Sequence, residues 1–207
     1  MGTDIHGVWQ AKKGGCWVDV ESTWEQDRHY FLFSWLADVR NGYGFAGSKT
    51  YEPVKPISEP KGLPADFELE DGEYHKTTIE AIDPRRREYL DNYEEGNPKA
   101  WLGDHSHSWL TADEIMEAKR PTDIVQSGVL SIEKYKAWDK HSVPESYCSG
   151  VSGQNIVVSL PDLITKKTTH VQCEWIKASD ELDYFIDEVK RLKEIHGEVR
   201  LVFGFDS

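Results

Sequence analysis

From Ser179 to Phe205 the chain reads SDELDYFIDEVKRLKEIHGEVRLVFGF. Leu182, Phe185, Ile186, Val189 and Leu192 recur at three- and four-residue intervals, so they share one stripe of a helix. Ser179 offers a capping hydroxyl for its start, and Gly197 stops it after about Ile195. The period then changes. Val199, Leu201, Phe203 and Phe205 alternate with Arg200, Val202 and Gly204, the pattern of a strand with one buried face. Just upstream, 155–160 and 168–176 read as strands joined across 161–167.

The other end of the chain answers this one. Residues 3–10 alternate as a strand, Gly14-Gly15 supplies a turn, and 16–20 return as the second arm of a hairpin. Asp4 and His6 then project from one face, roughly 7 Å apart. Residues 28–40 carry apolar side chains at 31, 32, 33, 35, 36 and 39, a wide helical stripe with Asp27 as its expected cap and Asn41-Gly42 as its stop. Thr111-Ala-Asp-Glu114 forms a capping box opening a helix toward Lys119, and 131–138 predicts another. Residues 142–154 read as loop.

A hairpin, several helices and a closing helix–strand unit predict an α+β fold: a mixed or antiparallel sheet packed against helices, with long ordered loops. The length of 207 residues suits a single domain spanning 1–207. An acidic insertion, expected at about 65–99 and holding Arg85-Arg86-Arg87, interrupts it. Before it, 41–64 hold four Pro and four Gly, which rules out a continued helix or a central strand.

Composition narrows the function. Lys and Arg total 24 against 37 Asp and Glu, a net charge of −13, which argues against a general grip on nucleic acid or anionic lipid. No run approaches the ~20 apolar residues of a membrane span. Three separated cysteines form neither a disulfide framework nor a paired-cysteine metal site, so a reducing, cytoplasmic location is expected. The opening Met1-Gly2-Thr3-Asp4 lacks the basic stretch and apolar core of a secretory leader.

The densest chemistry lies in Asp104-His105-Ser106-His107-Ser108. In an extended stretch His105 and His107 point the same way and can chelate one ion. Asp4 and His6 would complete a mixed site for a divalent metal that activates water. The alternative has one histidine capping or hydrogen-bonding a loop and the other exposed. A metal-free reading makes them proton carriers at a phosphodiester, although the segment lacks two separate His-x-Ser/Thr units. Arg40 and Asn41 precede Gly42-Tyr43-Gly44-Phe45, where a guanidinium and loop amides can hold an anion and Tyr43 or Phe45 can stack on a base. Equally, this is a helix end with Arg40 paired to a nearby acid. Lys61, in a rigid proline turn, can reach an anion, and Ser108 offers a hydroxyl to a phosphate oxygen.

Met1-Gly-Thr-Asp4-Ile-His6, the Leu36-Ala-Asp-Val-Arg40-Asn41 segment, Pro56-Ile-Ser-Glu-Pro-Lys-Gly-Leu-Pro64, His105-Ser-His107-Ser-Trp-Leu-Thr111 and the ending Val199-Arg-Leu-Val-Phe-Gly-Phe-Asp206 together resemble a family of small phage and prophage proteins. Many of its members open Met-Gly-Cys-Asp-Ile-His, and Thr3 stands here in place of that cysteine. The resemblance runs from Met1 to about Thr111 and resumes near Thr168. It implies a common origin and a shared site on Asp4, His6, Arg40, Asn41, His105 and His107 more than it implies a reaction.

These readings converge on an expectation. The chain recognises a phosphate-bearing small nucleotide, such as a cyclic dinucleotide or cyclic ADP-ribose of bacterial defence, in the host cell cytoplasm. Asp4, His6, His105 and His107 would carry hydrolysis, with a divalent metal as the one cofactor considered. Arg40, Asn41, Tyr43, Phe45, Lys61 and Ser108 would bind the ligand. Sequestration without cleavage is an alternative, and a homo-oligomer fits it, since such pockets often form between subunits. An acidic inhibitor of a host nucleic-acid enzyme is the other.

Overall fold

The computed structural model describes residues 2–42, 50, 52–67 and 102–206. Two sheets carry the fold. The larger is built from β1 (Asp4–Lys13), β2 (Cys16–Val20), β3 (His105–Thr111) and β7 (Val199–Asp206), in the order β2-β1-β7-β3. Each neighbouring pair in it is antiparallel. The smaller sheet runs β4 (Asp123–Ser131), β6 (His170–Ala178), β5 (Val157–Val158), with β5 parallel to β6 and β4 antiparallel to it. Helices α1 (Tyr30–Ala37), α2 (Ala112–Glu117), α3 (Ile132–Ala137) and α4 (Asp183–His196) complete an α+β architecture with one antiparallel and one mixed sheet.

The closing unit forms as its periodicity requires. Phe185, Ile186, Val189 and Leu192 of α4 pack onto Val199, Leu201, Phe203 and Phe205 of β7, with Ile5, Trp9 and Ala11 of β1 beside them. Alternation forces these residues onto one face, and the helix stripe covers it. Gly197, at φ 81, turns the chain between the two elements, and its N–H donates to the Lys193 carbonyl at 2.8 Å. The expected Ser179 cap sits earlier. Its hydroxyl accepts from the Glu181 N–H at 3.2 Å, and α4 begins only after Leu182.

Helix α1 is shorter than the 28–40 expected, and His29, not Asp27, caps it: its Nδ1 accepts from the Leu32 N–H at 3.1 Å. Asp38 takes the left-handed conformation at φ 60. Its N–H donates to the Ser34 carbonyl, and the Val39 N–H donates to the Phe33 carbonyl, a turn that closes the helix three residues early. Phe31 to Ala37 are all buried, so the helix is held by packing more than by its ends.

Strand β4 has no counterpart in the periodicity reading, because both of its faces are partly covered and the polar–apolar alternation is blurred. Thr111 ends β3 and caps α2 in a full capping box; Ser131 ends β4 and caps α3 through its hydroxyl alone, which accepts from the Lys134 N–H. The predicted 155–160 strand contracts to two residues.

The outer face of the large sheet has its own apolar cluster: Val202, Leu102 and Phe67, with Val8, Leu63 and Trp109 against them. Phe67, near the start of the expected acidic insertion, packs into this cluster, and residues 68–99 of that insertion lie outside the described residues. Among the described residues, no helix is long and apolar enough to cross a membrane.

Candidate functional site

Strand register brings the two ends of the chain together. β1 and β7 pair Asp4 with Asp206, Ile5 with Phe205 and His6 with Gly204. Pleating therefore puts Asp4, His6 and Asp206 on the outer face, opposite the buried Ile5 and Phe205. There the His6 Nε2 lies 3.0 Å from the Asp206 Oδ2. The two side chains are 37% and 44% exposed, so the pair is open to a ligand in solution. Asp4 accepts both arms of the Arg28 guanidinium at 2.8 Å, which raises the Arg28 pKa above its ordinary value. The Asp4 N–H also donates to the Asp206 Oδ1 at 3.3 Å.

On the other side of β7, β3 is irregular. Its register against β7 shifts between His105 and Ser108, and Ser106 stands at φ 52. A bulge of this kind breaks the two-residue alternation. The expectation that His105 and His107 point the same way is therefore corrected. The His105 ring stacks on Phe205 with centroids 6.0 Å apart, and its Nδ1 lies 3.0 Å from the Ser106 hydroxyl. His107 lies over Gly204, and its Nε2 is 3.0 Å from the Gly103 carbonyl, to which a ring N–H donates. Phe205 and Gly204 are consecutive strand residues facing opposite ways, and the two imidazoles follow them.

Gly204 is what lets His107 approach. A Cβ there would stand 2.3 Å from the Leu102 carbonyl oxygen and 2.7 Å from the His107 Cδ2. His6 pairs across from the same glycine, so both imidazoles border one bare backbone position. Among the described residues, no three His, Cys, Asp or Glu side chains are grouped to hold a metal ion.

The proposed ligand-binding residues have separate fates. Arg40, at φ 55, donates from Nε to the buried Thr3 hydroxyl at 2.7 Å, with its guanidinium 5.8 Å from the Tyr30 ring. Thr3 leads into β1, so the end of α1 meets the opening strand through this bond. Asn41 clamps the returning loop: it donates to the Val54 carbonyl at 2.6 Å and accepts from the Val54 N–H at 2.8 Å. Lys61 pairs with Glu114 and stands 4.5 Å from the Trp109 ring. Ser108 is fully buried, and its hydroxyl accepts from the Lys61 N–H at 3.1 Å. Asn41 and Ser108 thus have structural work in the fold. Tyr43 and Phe45 lie outside the described residues.

One end of the large sheet therefore gathers Asp4, His6, Arg40, His105 and His107, together with Arg28 and Asp206, which the spacing arguments did not select. Arg28 carries no local signal of its role. Asp206 sits in the closing motif, yet only β1–β7 register links it to His6. No protein-family model, curated protein or solved structure matches the chain.

Proposed function

We propose that the protein binds a phosphate-bearing small nucleotide at this end of the sheet and hydrolyses a phosphoester bond in it. The observation that carries the reading is the 3.0 Å contact between His6 and Asp206. A carboxylate on one ring nitrogen orients an imidazole and leaves the other nitrogen to act as a base. With Nε2–H donating to Asp206, Nδ1 takes a proton from water as the water oxygen bonds to phosphorus. The bond from phosphorus to the departing oxygen breaks, and the imidazolium returns the proton to that oxygen. Arg28 and Arg40 supply positive charge nearby, and guanidinium groups suit phosphate oxygens.

The resemblance to phage proteins suggests that the nucleotide is a bacterial defence signal, a cyclic dinucleotide or a cyclic ADP-ribose. Asp206 already engages the His6 Nε2, so imidazole and carboxylate carry the step. A divalent ion is tested separately, by metal analysis of the purified protein and of a His105→Ala/His107→Ala variant. Hydrolysis is tested by incubating the protein with a panel of such nucleotides and resolving the mixture by chromatography. New product peaks that disappear in His6→Gln are expected. Intact nucleotide released on denaturing the protein would replace cleavage with sequestration. No product and no bound nucleotide anywhere in the panel would overturn the reading and favour an acidic inhibitor of a host enzyme.

A further inference from the structure

A second polar cluster lies further along the same outer face, four residues and about 13 Å down β7 from Gly204. Its centre is Arg200, which is 2% exposed. Its Nε donates to the Gln10 Oε1 at 2.9 Å, and its Nη1 donates to the Asp66 Oδ1 at 2.8 Å. The guanidinium carbon is 4.3 Å from the Trp17 ring centroid and 6.0 Å from that of Trp109. Nη2 is buried and has no hydrogen-bond partner among the described residues.

The arrangement is half of a better one. A guanidinium presents Nη1 and Nη2 as a fork that matches two oxygens of one anion. Asp66 engages a single arm, while its side chain remains 60% exposed. The other arm carries the standing cost of a buried, charged donor without an acceptor. Two ammonium groups flank the fork: Lys61 over Trp109, and Lys12 at 5.5 Å from the Trp17 ring. Both have exposed acidic partners, Glu114 and Glu198, which they can exchange at little cost.

We propose that Arg200 is a receptor for a phosphoryl group and that Asp66 occupies it as a tethered, one-armed substitute. An entering phosphoryl group sets two oxygens against Nη1 and Nη2 and releases the Asp66 carboxylate to solvent. A third oxygen is then available to an ammonium group, which a carboxylate ligand does not offer. No covalent bond changes. This site stands independently of the His6–Asp206 pair and uses neither of those residues.

The test is titration of inorganic phosphate into wild-type protein and Asp66→Ala at constant ionic strength, by calorimetry. Removing the tethered competitor is expected to tighten phosphate binding about tenfold, the scale of one charge-assisted hydrogen bond. Adding Arg200→Gln to Asp66→Ala should abolish the gain. Since that double variant can lose its fold, the Asp66→Ala protein is also followed by NMR. Phosphate should shift the indole N–H signals of Trp17 and Trp109 and leave that of the buried Trp35 in place. A folded Asp66→Ala protein with wild-type phosphate affinity overturns the proposal. Acetate binding as tightly as phosphate overturns the phosphoryl assignment.

Discussion

His6 and Asp206 are separated by 200 positions in the chain, yet their side chains meet at 3.0 Å. The contact exists because β7 returns antiparallel to β1 and pairs Asp4 with Asp206, which sets Asp206 diagonally across from His6 on the outer face. Neither residue is buried, so the pair adds little to stability and is free for chemistry. The expected result is that His6→Gln lowers nucleotide hydrolysis by about a hundredfold or more while the thermal midpoint barely moves. Asp206→Asn should lower kcat more than it changes KM, because it disturbs the ring and not the phosphate. A His6→Gln protein with undiminished turnover would remove His6 from the reaction.

Glu188 gives a pH prediction. It is 5% exposed and accepts from the Ser22 hydroxyl, the Thr23 N–H and the Thr23 hydroxyl, and from both arms of Arg191. These bonds, led by Arg191, hold its carboxyl down at about 2, from an ordinary 4.5, against the opposing effect of burial. A carboxylate depressed in the folded state stabilises above its unfolded pKa and loses that contribution as pH falls through the folded value. Denaturant unfolding should therefore show Glu188 stabilising at neutral pH and fading between about 4.5 and about 2. Glu188→Gln should cost about 2 kcal/mol at pH 7 and flatten that part of the acid limb. An unchanged acid limb would show that another group controls it.

Gly204 tests the packing of the site. With the Leu102 carbonyl oxygen 2.3 Å from a new Cβ, Gly204→Ala must move backbone as well as the His107 ring. Urea unfolding should show a loss of about 1–3 kcal/mol, the range for overpacking. His107 resonances should shift with it. A variant as stable as wild type would mean that the 102–107 segment yields freely.

Ser108, a phosphate contact by sequence, is fully buried, and its burial leads elsewhere. Ser108→Ala removes the buried acceptor of a part-buried hydrogen bond from the Lys61 N–H. Stability should fall by about 0.5–1.5 kcal/mol. Nucleotide affinity, measured well below the unfolding midpoint, should stay within about twofold. A selective loss of affinity with no loss of stability would return Ser108 to the ligand.

Much of the framework was legible from local pattern. The alternation of 199–205, the helical stripe before it and the Gly14-Gly15 hairpin each follow from a short-range rule, and each element forms. The capping box at Thr111 forms for the same reason. Local rules failed where a neighbour overrode them. His29 displaces Asp27 as cap, β4 shows no clear alternation because both faces are partly covered, and the Ser106 bulge turns His107 away from His105. A bulge depends on the strand opposite, so the His-x-His spacing alone carried no information about it.

By itself, then, the sequence determined that this chain builds an α+β core from a hairpin, a buried first helix and a closing helix–strand pair. Burial of apolar faces is periodic along the chain, and periodicity is readable one residue at a time. Only the tertiary structure decided that His6 meets Asp206, that Asp4 takes Arg28, and that Arg200 lies between Trp17 and Trp109 with one arm unpaired among the described residues. Those are matters of strand register between segments far apart in the chain. A shift of one residue would send each of these side chains to the opposite face.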